Sequence, residues 1–169
     1  MIYFLIGMPG VGKTTFGAAL AKQLELPFID LDAYIEHREG STIAELFKKG
    51  EAHFRAVESK ALLELLHTRD AIVVACGGGT PCFNNNIEAM KSKGIVVYLN
   101  AEIATILARI SKQKSAVRPL LDADLELQKQ LDHLYRNRLA YYEQADFTIS
   151  LDKQINTEFL KDVVNKLSK

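Results

Sequence analysis

Gly7-Met8-Pro9-Gly10-Val11-Gly12-Lys13-Thr14 matches the pattern G-x-x-x-x-G-K-[ST] residue for residue. The flanks supply the context the pattern needs. Upstream, Ile2–Ile6 is a short apolar run that reads as a buried strand; downstream, Thr14 to Leu24 carries apolar residues at helical spacing. Glycines at such a strand-to-helix turn let backbone N–H groups curl inward around phosphate oxygens. The helix start adds the positive end of its dipole. Lys13 is then placed to reach the β- and γ-phosphates of a nucleotide, and the Thr14 hydroxyl to serve Mg²⁺. Gly10, Val11, Gly12, Lys13, Thr14 and Thr15 form the candidate triphosphate cradle.

Working outward, Phe28–Leu31, Ala71–Ala75, Ile95–Leu99 and Phe147–Leu151 read as four further strands. Ala-Ile-Val-Val-Ala and Ile-Val-Val-Tyr-Leu are continuously apolar, as expected of strands covered on both faces. Helical patterns fill the gaps. Thr42-Ile43-Ala44-Glu45 is a capping box, Glu51 to Leu66 is amphipathic, and Asn84–Asn86 are expected to cap a helix ending near Gly94. Ala101–Ser111, Ala123–Tyr142 and Glu158–Leu167 complete the set. Strands alternating with helices predict an α/β fold, a five-stranded parallel sheet flanked by helices, in one domain over residues 1–169. The polar stretch from Gln113 to Arg118 has no apolar face and is expected to be a mobile loop.

Composition bounds the partners. Lysine plus arginine, 21, equals aspartate plus glutamate, 21, so bulk charge gives no case for nucleic acid or a membrane surface. The opening apolar run is too short for a signal-peptide core and no segment is long enough to span a bilayer, so a cytoplasmic protein is expected. Cys76 and Cys82 have neither redox nor zinc spacing, and Cys76 reads as a small buried apolar residue. The four histidines are scattered. Nothing marks a large exposed apolar face, which leaves a monomer as the default.

Two further clusters carry chemistry. Asp30-Leu31-Asp32 follows the second strand. Period-two spacing at a strand end would put both carboxylates on one side, at the edge where a parallel sheet binds ligands. One carboxylate suits Mg²⁺ and the other a hydroxyl proton; the competing reading is that Asp32 caps a helix beginning at Ala33. The third strand ends in Cys76-Gly77-Gly78-Gly79-Thr80-Pro81 rather than in an acid, which makes Asp30 the candidate for metal duty and leaves bare backbone for a ligand. The sole Asn-Lys pair, Asn165-Lys166, is followed by Leu-Ser, so the base-reading element of a GTP switch is lacking.

GMPGVGKTT at Gly7–Thr15, DLDAYIE at Asp30–Glu36, IAELFKKGEAHFRAVE at Ile43–Glu58, CGGGTP at Cys76–Pro81, RPLL at Arg118–Leu121 and RLAYYEQAD at Arg138–Asp146 together resemble the shikimate kinase family over nearly the whole chain. The resemblance implies a P-loop NTPase fold of the nucleoside-monophosphate-kinase type. It implies transfer of the γ-phosphoryl group of ATP to the 3-hydroxyl of shikimate, with Mg²⁺. It also implies roles. Asp32 contacts the acceptor hydroxyls as base, with Lys13 and Arg118 as the other catalytic groups. Arg55 and Arg138 hold the carboxylate, Arg136 being the alternative to Arg138. Gly77, Gly78 and Gly79 give backbone contacts, Thr14 and Asp30 serve the metal, and Arg109, Arg118 and Gln154 lie against the nucleotide. Helices within about 32–66 would bind the acceptor and a segment of about 113–122 would form a lid. Arg55 also has a plain reading as a surface ion pair with Glu51 and Glu58. A kinase for another hydroxy acid such as gluconate, or a nucleotide-binding regulator without catalysis, is the competing function. The first should not need Arg55, Arg138 and three glycines together; the second should have lost Lys13, Asp32 or Arg118.

Overall fold

The apolar runs become five strands: β1 Ile2–Ile6, β2 Phe28–Asp30, β3 Ile72–Ala75, β4 Gly94–Asn100 and β5 Phe147–Ser150. They form one sheet in the order β2-β3-β1-β4-β5, with every neighbouring pair parallel. The computed structural model describes residues 1–113, 121–152 and 155–167. Arg118, Gln154 and the expected loop beyond Gln113 lie outside them. The helices are α1 Lys13–Leu24, α2 Leu31–Glu39, α3 Ile43–Lys48, α4 Glu51–Thr68, α5 Asn86–Lys93, α6 Ile103–Gln113, α7 Leu121–Tyr142 and α8 Thr157–Leu167.

β1 is central and all five of its residues are buried. Phe4, Leu5, Val74, Val96 and Val97 pack with Phe16 and Leu20 of α1 and Leu62 and Leu65 of α4 in one continuous core. Each such side chain stabilises the fold by roughly 1.5–3 kcal/mol through its burial. Cys76 belongs to this core as a small apolar residue.

Two local expectations change. β2 stops at Asp30 because the Asp30 side chain caps α2: Oδ1 accepts from Asp32 N–H at 3.1 Å and Ala33 N–H at 3.3 Å. Asp32 therefore sits in the first turn of a helix, neither two places along a strand nor at the cap. α5 is capped within Asn84–Asn86 and ends at Gly94 as expected, but the cap is not made by a side chain. Asn85 stands at the cap position with φ 55° and no side-chain capping bond. Asn84, φ 52°, sends its amide to Arg55 O and Ser59 Oγ on α4 instead. Asparagine tolerates this left-handed conformation, and the pair turns the chain into α5. The Thr42 capping box forms as read, Glu45 N–H reaching Thr42 Oγ1 at 3.2 Å and Thr42 N–H reaching Glu45 Oε2 at 2.8 Å.

Topology fixes where chemistry gathers. β2, β3 and β1 are adjacent and parallel, so the segments leaving their carboxyl ends come together at one edge of the sheet. Those segments are the phosphate loop, the start of α2 and the three-glycine turn.

Candidate active site

The phosphate loop forms as its residues require. Gly10 and Gly12 take φ of 78° and 106°, values an L side chain rarely adopts, and α1 begins immediately after them. A cleft of about 390 Å³ is lined by Gly10, Gly12, Lys13, Thr14, Thr15, Asp30 and Asp32, with Cys76, Gly77 and Gly78 behind. Lys13 Nζ donates to Gly7 O and Met8 O, both at 3.0 Å. Val11 is turned inward: its N–H donates to Met8 O at 3.3 Å and its carbonyl accepts from Arg109 Nη1 at 2.7 Å. Arg109 also donates to Leu151 O, so it clamps the loop to the end of β5 from α6.

A second, smaller cleft of about 160 Å³ adjoins the first. Asp32, Pro9, Gly77 and Gly78 line both, and Ile43, Phe47, Phe54, Arg55, Glu58, Gly79 and Arg138 complete the second. Arg138 lines it from α7, whereas Arg136 is exposed and takes no part in either wall. That separates the two arginines the sequence left open.

Arg55 is an ion-paired residue, but not a surface one: it is only 7% exposed. Nη1 donates to Glu58 Oε2 at 2.9 Å, and Nε and Nη2 donate to Glu51 Oε1 at 3.3 and 3.2 Å. A guanidinium has five N–H donors. Three are used, and one remains on each terminal nitrogen for a further acceptor. The rings of Phe83, Phe54 and Phe47 lie 4.2, 5.0 and 5.6 Å from the guanidinium carbon, favourable cation–π distances. Glu58 is fully buried, and its second oxygen accepts from Thr80 Oγ1 at 2.7 Å. One carboxylate thus fixes both Arg55 and the residue after the three glycines. Its spacing from Arg55 was legible, but its burial and its bond to Thr80 were not. The phenylalanine cage was missed as well, since Phe83 lies far from Phe47 and Phe54 in sequence.

Burial is the main cause of two altered titrations. It lifts the Asp32 carboxyl to about 6, helped by the negative charges of Asp30 and Glu58 and opposed by Lys13. It lowers the Lys13 ammonium to about 8, opposed by Asp32 and Asp30 among its neighbours. A carboxyl near 6 on the boundary of two clefts is poised to accept a proton at neutral pH.

Thr14 and Asp30 meet as expected, Thr14 Oγ1 donating to Asp30 Oδ2 at 2.6 Å beside the loop. Two hard oxygens at the phosphate cleft fit Mg²⁺, which takes one or two protein oxygens and completes its shell with water and substrate phosphates. No cluster of three or more His, Cys, Asp or Glu side chains suited to a metal occurs among the described residues. No helix among the described residues is long and apolar enough to cross a membrane.

The family model for shikimate kinase matches residues 9–168. The shikimate kinase of Alkaliphilus oremlandii is 41% identical over 162 residues, covering 95% of each chain. The crystal structure of shikimate kinase from Bacteroides thetaiotaomicron superposes with a TM-score of 0.87 at 37% identity, over 99% of this chain and 96% of that one. Shikimate kinase from Acinetobacter baumannii, solved in complex with shikimate, gives 0.78 at 36% identity, over 99% and 90%.

Proposed function

The chain belongs to the shikimate kinase family, and from that premise we propose how its residues divide the transfer of the γ-phosphoryl group of ATP to the 3-hydroxyl of shikimate. The observation that carries the reading is the position of Asp32, which lines both the phosphate-loop cleft and the arginine cleft. A base between two substrates is what in-line phosphoryl transfer needs.

The nucleotide lies on the loop, its phosphates against Gly10, Gly12, Lys13, Thr14 and Thr15. Shikimate enters the smaller cleft with its carboxylate on the remaining N–H donors of Arg55 and on Arg138, and its ring against Gly77, Gly78 and Gly79. Asp32 accepts the proton of the 3-hydroxyl as that oxygen bonds to the γ-phosphorus and the bond to the β-phosphate oxygen breaks. Lys13 offsets the negative charge spread over the transferring group. Thr14 and Asp30 would hold Mg²⁺, which when bound would supply positive charge to the nucleotide's phosphates. Arg109, Arg118 and Gln154 keep the nucleotide-side roles implied by the family, and the 113–122 segment that of a lid. The small cleft supports a compact acid rather than a second nucleotide, whose pocket would be of several hundred Å³.

The test is ADP release in a coupled assay with ATP and Mg²⁺, with and without shikimate, gluconate serving as the control. Strong stimulation by shikimate alone is expected. No stimulation with ATP binding intact would reopen the acceptor to other hydroxy acids.

A further inference from the structure

The three carbonyl groups of Gly77, Gly78 and Gly79 are all taken by protein donors. Thr80 N–H donates to Gly77 O at 3.1 Å, and Cys82 N–H to Gly79 O at 2.9 Å. Both bonds belong to the turn itself. Gly78 O differs: its donor is the hydroxyl of Tyr142, 2.6 Å away and 64 positions later, at the end of α7. A peptide between two glycines meets little steric resistance to turning over. Its orientation therefore depends on what its oxygen bonds.

In a planar trans peptide the C=O and N–H point to opposite sides. With the Gly78 oxygen drawn to Tyr142, the Gly79 N–H is directed away from that side chain. Gly79 itself presses on Arg55, so closely that a Cβ there would lie 2.6 Å from Nη2. Turned over, the same peptide would offer a carbonyl oxygen to a cleft built to receive a carboxylate.

We propose that Tyr142 is a positioning residue for the acceptor: its hydroxyl fixes the polarity of the Gly78–Gly79 peptide, so that the arginine cleft presents an N–H and not a C=O to the bound acid. The inference rests on the reading above, that Arg55, Arg138 and the three glycines hold shikimate. Tyr142 lines neither cleft and is fully buried, so it acts only through its neighbours. Its ring is stacked on Tyr98 at 5.1 Å between centroids, which holds it in place. Arg138, one helical turn earlier, lies near enough for its charge to act on the hydroxyl, and its Nη1 lies 3.1 Å from where a Gly78 Cβ would be. Tyr142 and Arg138 thus approach the same glycine peptide from α7. Burial raises the phenol above its ordinary value, which keeps it a neutral donor at working pH.

Tyr142→Phe keeps the ring and its stacking and removes only the hydroxyl. Each substrate is varied at saturation of the other, in wild type and variant, with thermal unfolding of the same samples. The KM for shikimate is expected to rise roughly five- to tenfold, the effect of one lost hydrogen bond, while the KM for ATP stays within about twofold. If Tyr142→Phe melts lower, the assay is run below its melting point and the contrast between the two KM values still decides. An unchanged KM for shikimate overturns the inference. So does a parallel rise in both KM values, which marks general loosening. If the wild type itself does not respond to shikimate, the functional reading falls and takes this inference with it. If the wild type responds and the variant matches it, only the role of Tyr142 falls.

Discussion

Burial beside Asp30 and Glu58 holds the Asp32 carboxyl at about 6, above its ordinary value near 4. Between those values the folded chain binds more protons than the unfolded one. Stability therefore falls as pH rises from about 4 to 6, and the deficit persists above 6. Asp32→Asn removes the ionisable group, so it should raise the stability of the nucleotide-free protein at pH 7 by about 1–3 kcal/mol while lowering kcat by at least about 10²-fold. Denaturant midpoints at pH 7 and pH 4 check the first part, since the gain should shrink at pH 4. An Asn variant with near-normal kcat would remove Asp32 from the base role. The same site sets a pH profile. kcat/KM should rise through about 6 as Asp32 ionises and fall above about 8 as Lys13 loses its proton. With nucleotide bound, phosphate charge keeps Lys13 protonated, so the alkaline limb of kcat should move upward. A profile flat from 5 to 9 would contradict both assignments.

At the scale of elements, the site is a meeting of α4, α7 and the turn after β3. Arg55 on α4 is fixed by Glu51 one turn before it and by Glu58 one turn after. Glu58 then reaches Thr80 across the interface. Gly79 fits between because it lacks a side chain. Gly79→Ala would set a methyl 2.6 Å from Arg55 Nη2 and 2.9 Å from Cζ, and the guanidinium is too well held to step aside freely. The KM for shikimate should rise on the order of tenfold or more, the scale of a weakened charged hydrogen bond, with the KM for ATP unchanged. Initial rates with each substrate varied would settle it, and equal effects on both would place the damage in the fold instead.

Across the whole molecule, the clefts proposed for acceptor and nucleotide share one folded edge of the sheet, so each ligand should stabilise the native state by linkage. At a concentration of 100 times its Kd, shikimate should add about 2.7 kcal/mol, raising Tm by roughly 5–10 °C for a chain of this size. Arg55→Ala should abolish most of that shift and raise the shikimate KM by the equivalent of about 2–4 kcal/mol, the loss of a charged contact in a desolvated cleft. An Arg55→Ala protein that shikimate still stabilises fully would return Arg55 to the role of an ion-pair residue.

What the sequence determined by itself is what short-range chemistry dictates. Gly7–Thr14 could form only one kind of turn, and the runs around Phe4, Val74 and Val97 could only be buried strands. The Thr42 capping box was likewise complete within four residues. The tertiary structure alone decided what depends on distant neighbours. Asp30 ended β2 because its oxygen could satisfy two helix N–H groups, a competition between strand and cap that spacing does not resolve. Asn84 spends its amide on α4, a partner 25 positions away, so the turn into α5 is capped without a side-chain bond. The surface pair that was the plain alternative for Arg55 and Glu58 was ruled out only when the fold buried both and brought Thr80 onto Glu58. Arg138 parted from Arg136 only when the packing of α7 turned one of them toward the cleft. Tyr142 met Gly78 for the same reason: a hydrogen bond spanning 64 residues exists only after the chain has folded, because burial is a property of the whole and not of the segment.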